Sequence, residues 1–203
     1  MPTPTPMLIQ VFDPKTQEWN DFITLDDKYA VSDHASVLHG RKIIFFGGWD
    51  AFYTPVATTF SIDPSDNGKI EDLEPMIKSR GDIAAVHYDH GGVNEAFVIG
   101  GFHEYCQPLN TIERYDFKKN YWMEISTEKL IQGRGGKVAT VFDKKIYIMG
   151  GEDKREDLCS DNASVESQAI DNVEVFDPLA KSPSWVLHSL IPDSEDDRRM
   201  LWI

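Results

Sequence analysis

Three times in this chain an apolar run stops on two adjacent glycines. The runs are Lys42-Ile43-Ile44-Phe45-Phe46-Gly47-Gly48, Glu95-Ala96-Phe97-Val98-Ile99-Gly100-Gly101 and Lys145-Ile146-Tyr147-Ile148-Met149-Gly150-Gly151. The pairs lie 53 and then 50 residues apart. A fixed period of that size marks a chain assembled from copied units that stack side by side, since one such unit cannot bury its apolar face alone.

Two further markers keep the same register. An apolar or aromatic residue followed by Asp recurs in Phe12-Asp13, Ile62-Asp63, Tyr115-Asp116 and Phe176-Asp177, and three of these aspartates precede proline. The Asp carboxylate can accept from a backbone amide two residues on and so open a turn. Trp19, Trp122 and Trp185 follow in the next short strand. Before every glycine pair lies a strand of small and branched residues: Ala35-Ser36-Val37-Leu38, Ala84-Ala85-Val86-His87 and Ala139-Thr140-Val141-Phe142. Each unit therefore reads as four strands, A to D, with the glycines closing B and the aspartate closing C. No segment has helical periodicity over ten or more residues. Four-stranded antiparallel units at this spacing predict an all-β propeller. Here it is incomplete: a disordered start (1–6), a leading half-blade (7–25), blades over 31–75, 80–127 and 134–190, and the start of another over 198–203.

The glycine pairs, the aromatic-Asp turns, the tryptophans and the arginines that open strand A, Arg80 and Arg134, together resemble the kelch repeat. The resemblance runs from Met7 to the end of the chain. It departs in the first complete unit, which has Val31 in place of Arg and no Trp in Ile70-Glu71-Asp72-Leu73. In such repeats Gly47, Gly48, Gly100, Gly101, Gly150 and Gly151, with Trp19, Trp122 and Trp185, are structural markers. The tryptophans are expected to fill the space between blades. The resemblance also implies a protein-binding module, serving as a scaffold or substrate adaptor, whose working face is formed by the B to C loops and by Arg80 and Arg134. Similar arginines help bind acidic peptide segments. The competing expectation is that each arginine pairs with acids of its own domain. The contact residues expected on that face are Trp49, Phe52, Tyr53, Arg80, Phe102, His103, Tyr105, Arg134 and Arg155.

Composition limits the partner. Asp and Glu number 34 against 20 Lys and Arg, for a net charge of −14. Nucleic acid and anionic membrane surfaces would repel such a chain, so another protein or peptide is the expected partner. Two cysteines are too few for a disulfide framework, and the sequence has neither a signal-peptide pattern nor ~18 consecutive apolar residues; a cytoplasmic location is expected. The third B to C loop, Glu152 to Ile170, is long and acidic, either a binding loop or a disordered one. His103 and Cys106, with Cys159 on the next loop, suggest an alternative: a metal-dependent enzyme of the kelch type. Three side chains from two loops make a thin ligand set, so the expectation is no metal, no cofactor and no catalytic residue. His34, His39, His87 and His90 read as packed residues of the A strands. The ring is expected to close through further sequence or through self-association.

Overall fold

The computed structural model describes residues 7–104, 107–125, 128–153 and 168–191. They form fourteen strands and one turn of 3-10 helix, Asp27–Tyr29. The half-blade pairs β1 (Met7–Asp13) with β2 (Glu18–Leu25). Blade 1 comprises β3 (Ala35–His39), β4 (Lys42–Phe46), β5 (Thr59–Asp63) and β6 (Lys69–Asp72). Blade 2 comprises β7 (Ala84–His90), β8 (Val93–Ile99), β9 (Ile112–Asp116) and β10 (Tyr121–Ile125). Blade 3 comprises β11 (Val138–Phe142), β12 (Lys145–Met149), β13 (Asn172–Phe176) and β14 (Trp185–Leu190). Every neighbouring pair within a blade is antiparallel and strands follow chain order, so each blade is an up-and-down meander. The A strands of successive blades lie against one another, β3 on β7 and β7 on β11. This is a partial β-propeller.

The repeated residues explain the geometry. At all four C-strand ends the aspartate makes its turn: Asp13 accepts from the Lys15 amide at 2.8 Å, Asp63 from Ser65 at 2.9 Å, Asp116 from Lys118 at 3.0 Å and Asp177 from Leu179 at 2.9 Å. Hydrogen bonds favour the ionised carboxylate. The Ser65 hydroxyl holds Asp63 below its ordinary range, and Lys119 does the same for Asp116. Both glycines of each pair have positive φ, for example 58° and 95° at Gly100 and Gly101, a region costly for any residue with a Cβ. Close approach adds a second constraint: a Cβ on Gly48 would sit 2.5 Å from the Ser32 carbonyl oxygen, and one on Gly101 2.5 Å from that of Gly81.

The core is a set of seams between blades. Val37, Ile44 and Phe46 of blade 1 meet Ala96, Val98 and Tyr115 of blade 2, with Trp122 edge-on to Phe46 at 5.5 Å. Phe97 and Ile99 of blade 2 meet Ile146 and Ile148 of blade 3 in the next seam, where Trp185 stacks on Phe176 at 5.1 Å. Trp122 and Trp185 are buried, as wedges between blades should be. Trp19 is not: it is 65% exposed and rests on Phe12, because among the described residues no blade lies against that side of the half-blade. At the opposite end Val138 and Phe142 on β11 and Val186, Leu187 and Leu190 on β14 are also exposed. No helix among the described residues is long and apolar enough to cross a membrane.

Candidate partner-binding face

Because the strands alternate in direction, the B to C loops and the D to A links emerge on the same face. Hydrogen bonds knit them together. The second glycine of each pair in blades 1 and 2 donates its amide to the backbone carbonyl of the arginine opening the next blade, Gly48 to Arg80 at 2.9 Å and Gly101 to Arg134 at 2.8 Å. Each loop is closed at its base by one repeated bond: Val56 to the Gly48 carbonyl, Leu109 to Gly101 and Ile170 to Gly151. The links run alongside, with Met76 donating to Ala57 and Leu130 to Asn110, both at 2.9 Å.

Arg80 and Arg134 do not reach the surface. Arg80 Nη1 donates to the Gly100 carbonyl at 2.9 Å, and Nη2 to Thr111 Oγ1 at 3.2 Å and Glu113 at 2.6 Å. Arg134 repeats the pattern in blade 3, donating to the Gly150 carbonyl at 3.0 Å, to Asn172 at 2.7 Å and to Glu174. All four side chains of these two ion pairs are 0% exposed. Burial pulls both guanidinium pKa values down and the paired glutamates oppose it. The carboxylates also hold the links: Glu113 accepts from the Ile77 amide at 2.7 Å and from Lys78 at 3.1 Å, and Glu174 from Ile131 at 2.8 Å. The expectation that these arginines contact a partner is therefore corrected. They pair within their own blades, with strand C rather than with a loop.

Trp49 and Phe102 are corrected in the same way. They are 2% and 0% exposed, and each is a wedge laid over the second residue of the next blade. A Cβ on Gly81 would sit 2.2 Å from the Trp49 ring, and one on Gly135 2.1 Å from that of Phe102. The Trp49 indole also donates to Asp82 at 2.7 Å. His103 is half-buried, and its Nδ1 donates to the Ser79 carbonyl at 2.7 Å, which ties the second loop to the preceding link.

Phe52 and Tyr53 are different: 86% and 63% exposed, they sit at the tip of the first loop. Their backbone is fixed, not loose. Asp50 Oδ1 accepts from the amides of Phe52 (2.9 Å) and Thr54 (2.8 Å), and the Tyr53 amide donates to the Asp50 carbonyl at 3.0 Å. Tyr53 has φ 55°, which an aromatic residue adopts at a cost of about 1–2 kcal/mol. Ile77 on the adjacent link is 53% exposed. Tyr105, Cys106, Arg155 and Cys159 lie outside the described residues. Among those described, no group of three or more His, Cys, Asp or Glu could hold a metal ion.

Reading the sequence missed Glu113, Glu174 and Lys137. Lys137 is buried beside the first residues of blades 2 and 3, donating to the carbonyls of Asp82 and Arg134, each at 3.1 Å. Burial, then the neighbouring Arg80, pushes its pKa well below the lysine range, with Asp82 opposing and Arg134 adding to the shift.

The model of the kelch motif matches residues 94–127 and 133–182, which lie in blades 2 and 3. A kelch repeat-containing protein of Caenorhabditis elegans, kel-10, is 26% identical over 156 residues, covering 72% of this chain. The aligned region is 25% of that relative, so the chain spans about a quarter of its length. Fold and matches together support a kelch-repeat family, the fold being consistent with a partial kelch β-propeller. Kelch repeats of this kind form protein-interaction modules.

Proposed function

We propose that the chain is a non-enzymatic protein-binding module whose contact surface is the loop-rich face, centred on Phe52, Tyr53 and Ile77. The observation that carries this reading is the loop tip. Two large aromatics stand in solvent on a backbone held by Asp50, so their contact area is offered at low entropic cost. Arg80, Arg134, Trp49 and Phe102 act beneath this surface by fixing the links and loops. Tyr105 and Arg155, which lie outside the described residues, stay in the proposal on the sequence pattern alone. A substrate-adaptor role in the cytoplasm follows if other domains accompany the repeats.

The test is affinity purification with the intact chain, a Phe52→Ala/Tyr53→Ala variant and a variant lacking 154–167. Proteins retained by the intact chain and lost from the double alanine variant support the proposal. An unchanged set of bound proteins sinks this face. The bare apolar residues at both ends of the array support completion of the ring by further sequence or a second copy. Light scattering tests that part: an unaggregated 23.1 kDa monomer with native stability would rule out the need for either.

A further inference from the structure

In every complete blade strand C lies between two neighbours: β5 between β4 and β6, β9 between β8 and β10, β13 between β12 and β14. β1 is the strand C of the half-blade, and among the described residues it pairs with β2 alone. Beside it lies a cavity of about 200 Å³, lined by Met7, Leu8 and Ile9 of β1 together with His34, Phe45 and Phe60 of blade 1. The Nδ1 atom of His34 is buried and meets no hydrogen-bond partner among the described residues.

The complete blades show what occupies this place. Counting back from the turn aspartates, Ile9 corresponds to Thr59, Ile112 and Val173, and Val11 to Ser61, Arg114 and Val175. Opposite the first set stand Phe46, Ile99 and Met149, and opposite the second Ile44, Phe97 and Tyr147. Two glycines follow in each case. Ile44 and Phe46 pack with Ala96 and Val98 of blade 2, and Phe97 and Ile99 with Ile146 and Ile148 of blade 3, so these alternate residues fill the seam toward the next blade. The first glycine donates its amide to strand C: Gly47 to the Thr58 carbonyl at 2.8 Å, Gly100 to Thr111 at 3.0 Å and Gly150 to Asn172 at 3.3 Å. Leu8 holds the corresponding position on β1. The chain has no such strand to spare. Its three glycine-ended strands each pair inside their own blade, and no residue outside the described ones is a glycine.

We propose that the free edge of β1 binds an extended segment of a second, different polypeptide, antiparallel to β1, with large apolar side chains opposite Val11 and Ile9 and two glycines after them. The apolar residue next to the glycines enters the cavity against Phe45, and the first glycine donates to the Leu8 carbonyl. Main-chain bonds to an open strand edge supply affinity, and the alternate side chains supply selectivity. The inference rests on the reading that the array is completed from outside, and it is independent of the face around Phe52 and Tyr53.

The probe is a fluorescein-labelled synthetic peptide with the sequence of residues 93–102 and two added lysines, titrated with the intact chain and followed by anisotropy. Binding is expected. Serine at the two peptide positions that copy Phe97 and Ile99 should weaken it about tenfold or more. Gln10 lies two residues on from Leu8 and turns its amide to the same edge, so Gln10→Pro should weaken binding about tenfold. Phe52→Ala/Tyr53→Ala should leave it unchanged. Thermal melts by circular dichroism confirm that the variants are folded. Equal affinity for the serine peptide, or an undiminished affinity in Gln10→Pro, would overturn the strand site and leave the loop-rich face standing. No binding at about 0.1 mM chain would overturn it as well. Light scattering supplies the remaining outcomes. A dimer that the peptide converts to monomers would show the edge taken by a second copy, which overturns the choice of partner. A stable monomer that binds the peptide supports the strand site even though the ring then needs no completion, so the two readings fail separately.

Discussion

Blade 1 and blade 2 solve the same packing problem with opposite chemistry. In blade 2 the link, the end of strand B and the start of strand C converge on Arg80 and Glu113, and in blade 3 on Arg134 and Glu174. In blade 1 the corresponding positions are Val31 and Phe60. The correspondence follows from register, since Phe60 pairs with Phe45 on β4 as Glu113 pairs with Val98 on β8. Val31 and Phe60 are buried, with Tyr29 on Phe60 at 4.6 Å. Both members of the ion pair have been exchanged together. Neither half is tolerable alone, because an unpaired charge in a dry seam costs more than the pair contributes.

Separating the pair is the most severe way to break this comparison. Arg80→Val should destabilise blade 2 by about 3–5 kcal/mol, because Glu113 is left buried with only the Ile77 and Lys78 amides. Urea denaturation followed by tryptophan fluorescence measures it. Arg80→Val with Glu113→Phe, copying blade 1, should recover most of the loss. A double variant as unstable as the sum of its parts would show that the two blades are not interchangeable here.

A smaller effect comes from the residue that follows. Gly81 and Gly135 lie under Trp49 and Phe102, but the corresponding Ser32 of blade 1 is exposed. Gly135→Ser should cost about 1–3 kcal/mol by pushing the Phe102 ring off its seat. Ser32→Gly should change stability by less than about 1 kcal/mol. Equal losses would mean that the overlying ring is not the cause.

The gentlest change sharpens the comparison further along strand A, where Lys137 of blade 3 corresponds to Ile83 of blade 2 and His34 of blade 1. Lys137→Ile should stabilise the chain by about 1 kcal/mol at pH 7. Both carbonyls it leaves keep another donor, Gly136 for Asp82 and Gly101 for Arg134. The sign with pH follows from the lowered pKa. Between the folded pKa and 10.5 the unfolded chain binds more protons, so the native chain gains stability as pH rises. The variant's advantage should accordingly shrink toward pH 10. Parallel stability curves at pH 7 and pH 10 would remove the buried amine as its source.

The fold was legible because its markers are backbone demands. Positive φ at Gly100 and Gly101 and the Asp116 turn leave little choice of residue, so the sequence repeats them. Trp19 misled because a wedge needs a second blade, and its own strand carries no record of whether one is there. The buried arginines misled for another reason: Arg80 looks the same in sequence whether it faces solvent or Glu113. The signal was present, since the unit with Val31 in place of arginine also has Phe60 in place of glutamate. It lies in the joint change, which inspection of one position at a time does not reveal. That Phe52 and Tyr53 stand exposed was legible because aromatic residues in a short loop have few packed places to go.

The bond that closes each B to C loop joins Gly48 to Val56, Gly101 to Leu109 and Gly151 to Ile170, whatever length of chain it encloses. Beyond that clasp, and apart from the residues that pack or bond onto the neighbouring link, such as Trp49, Phe102 and His103, the enclosed chain takes no part in the blade's strands. The tip of one loop can be lengthened or trimmed while the strands below keep their register, so the loop-rich face can change without the blades having to be rebuilt.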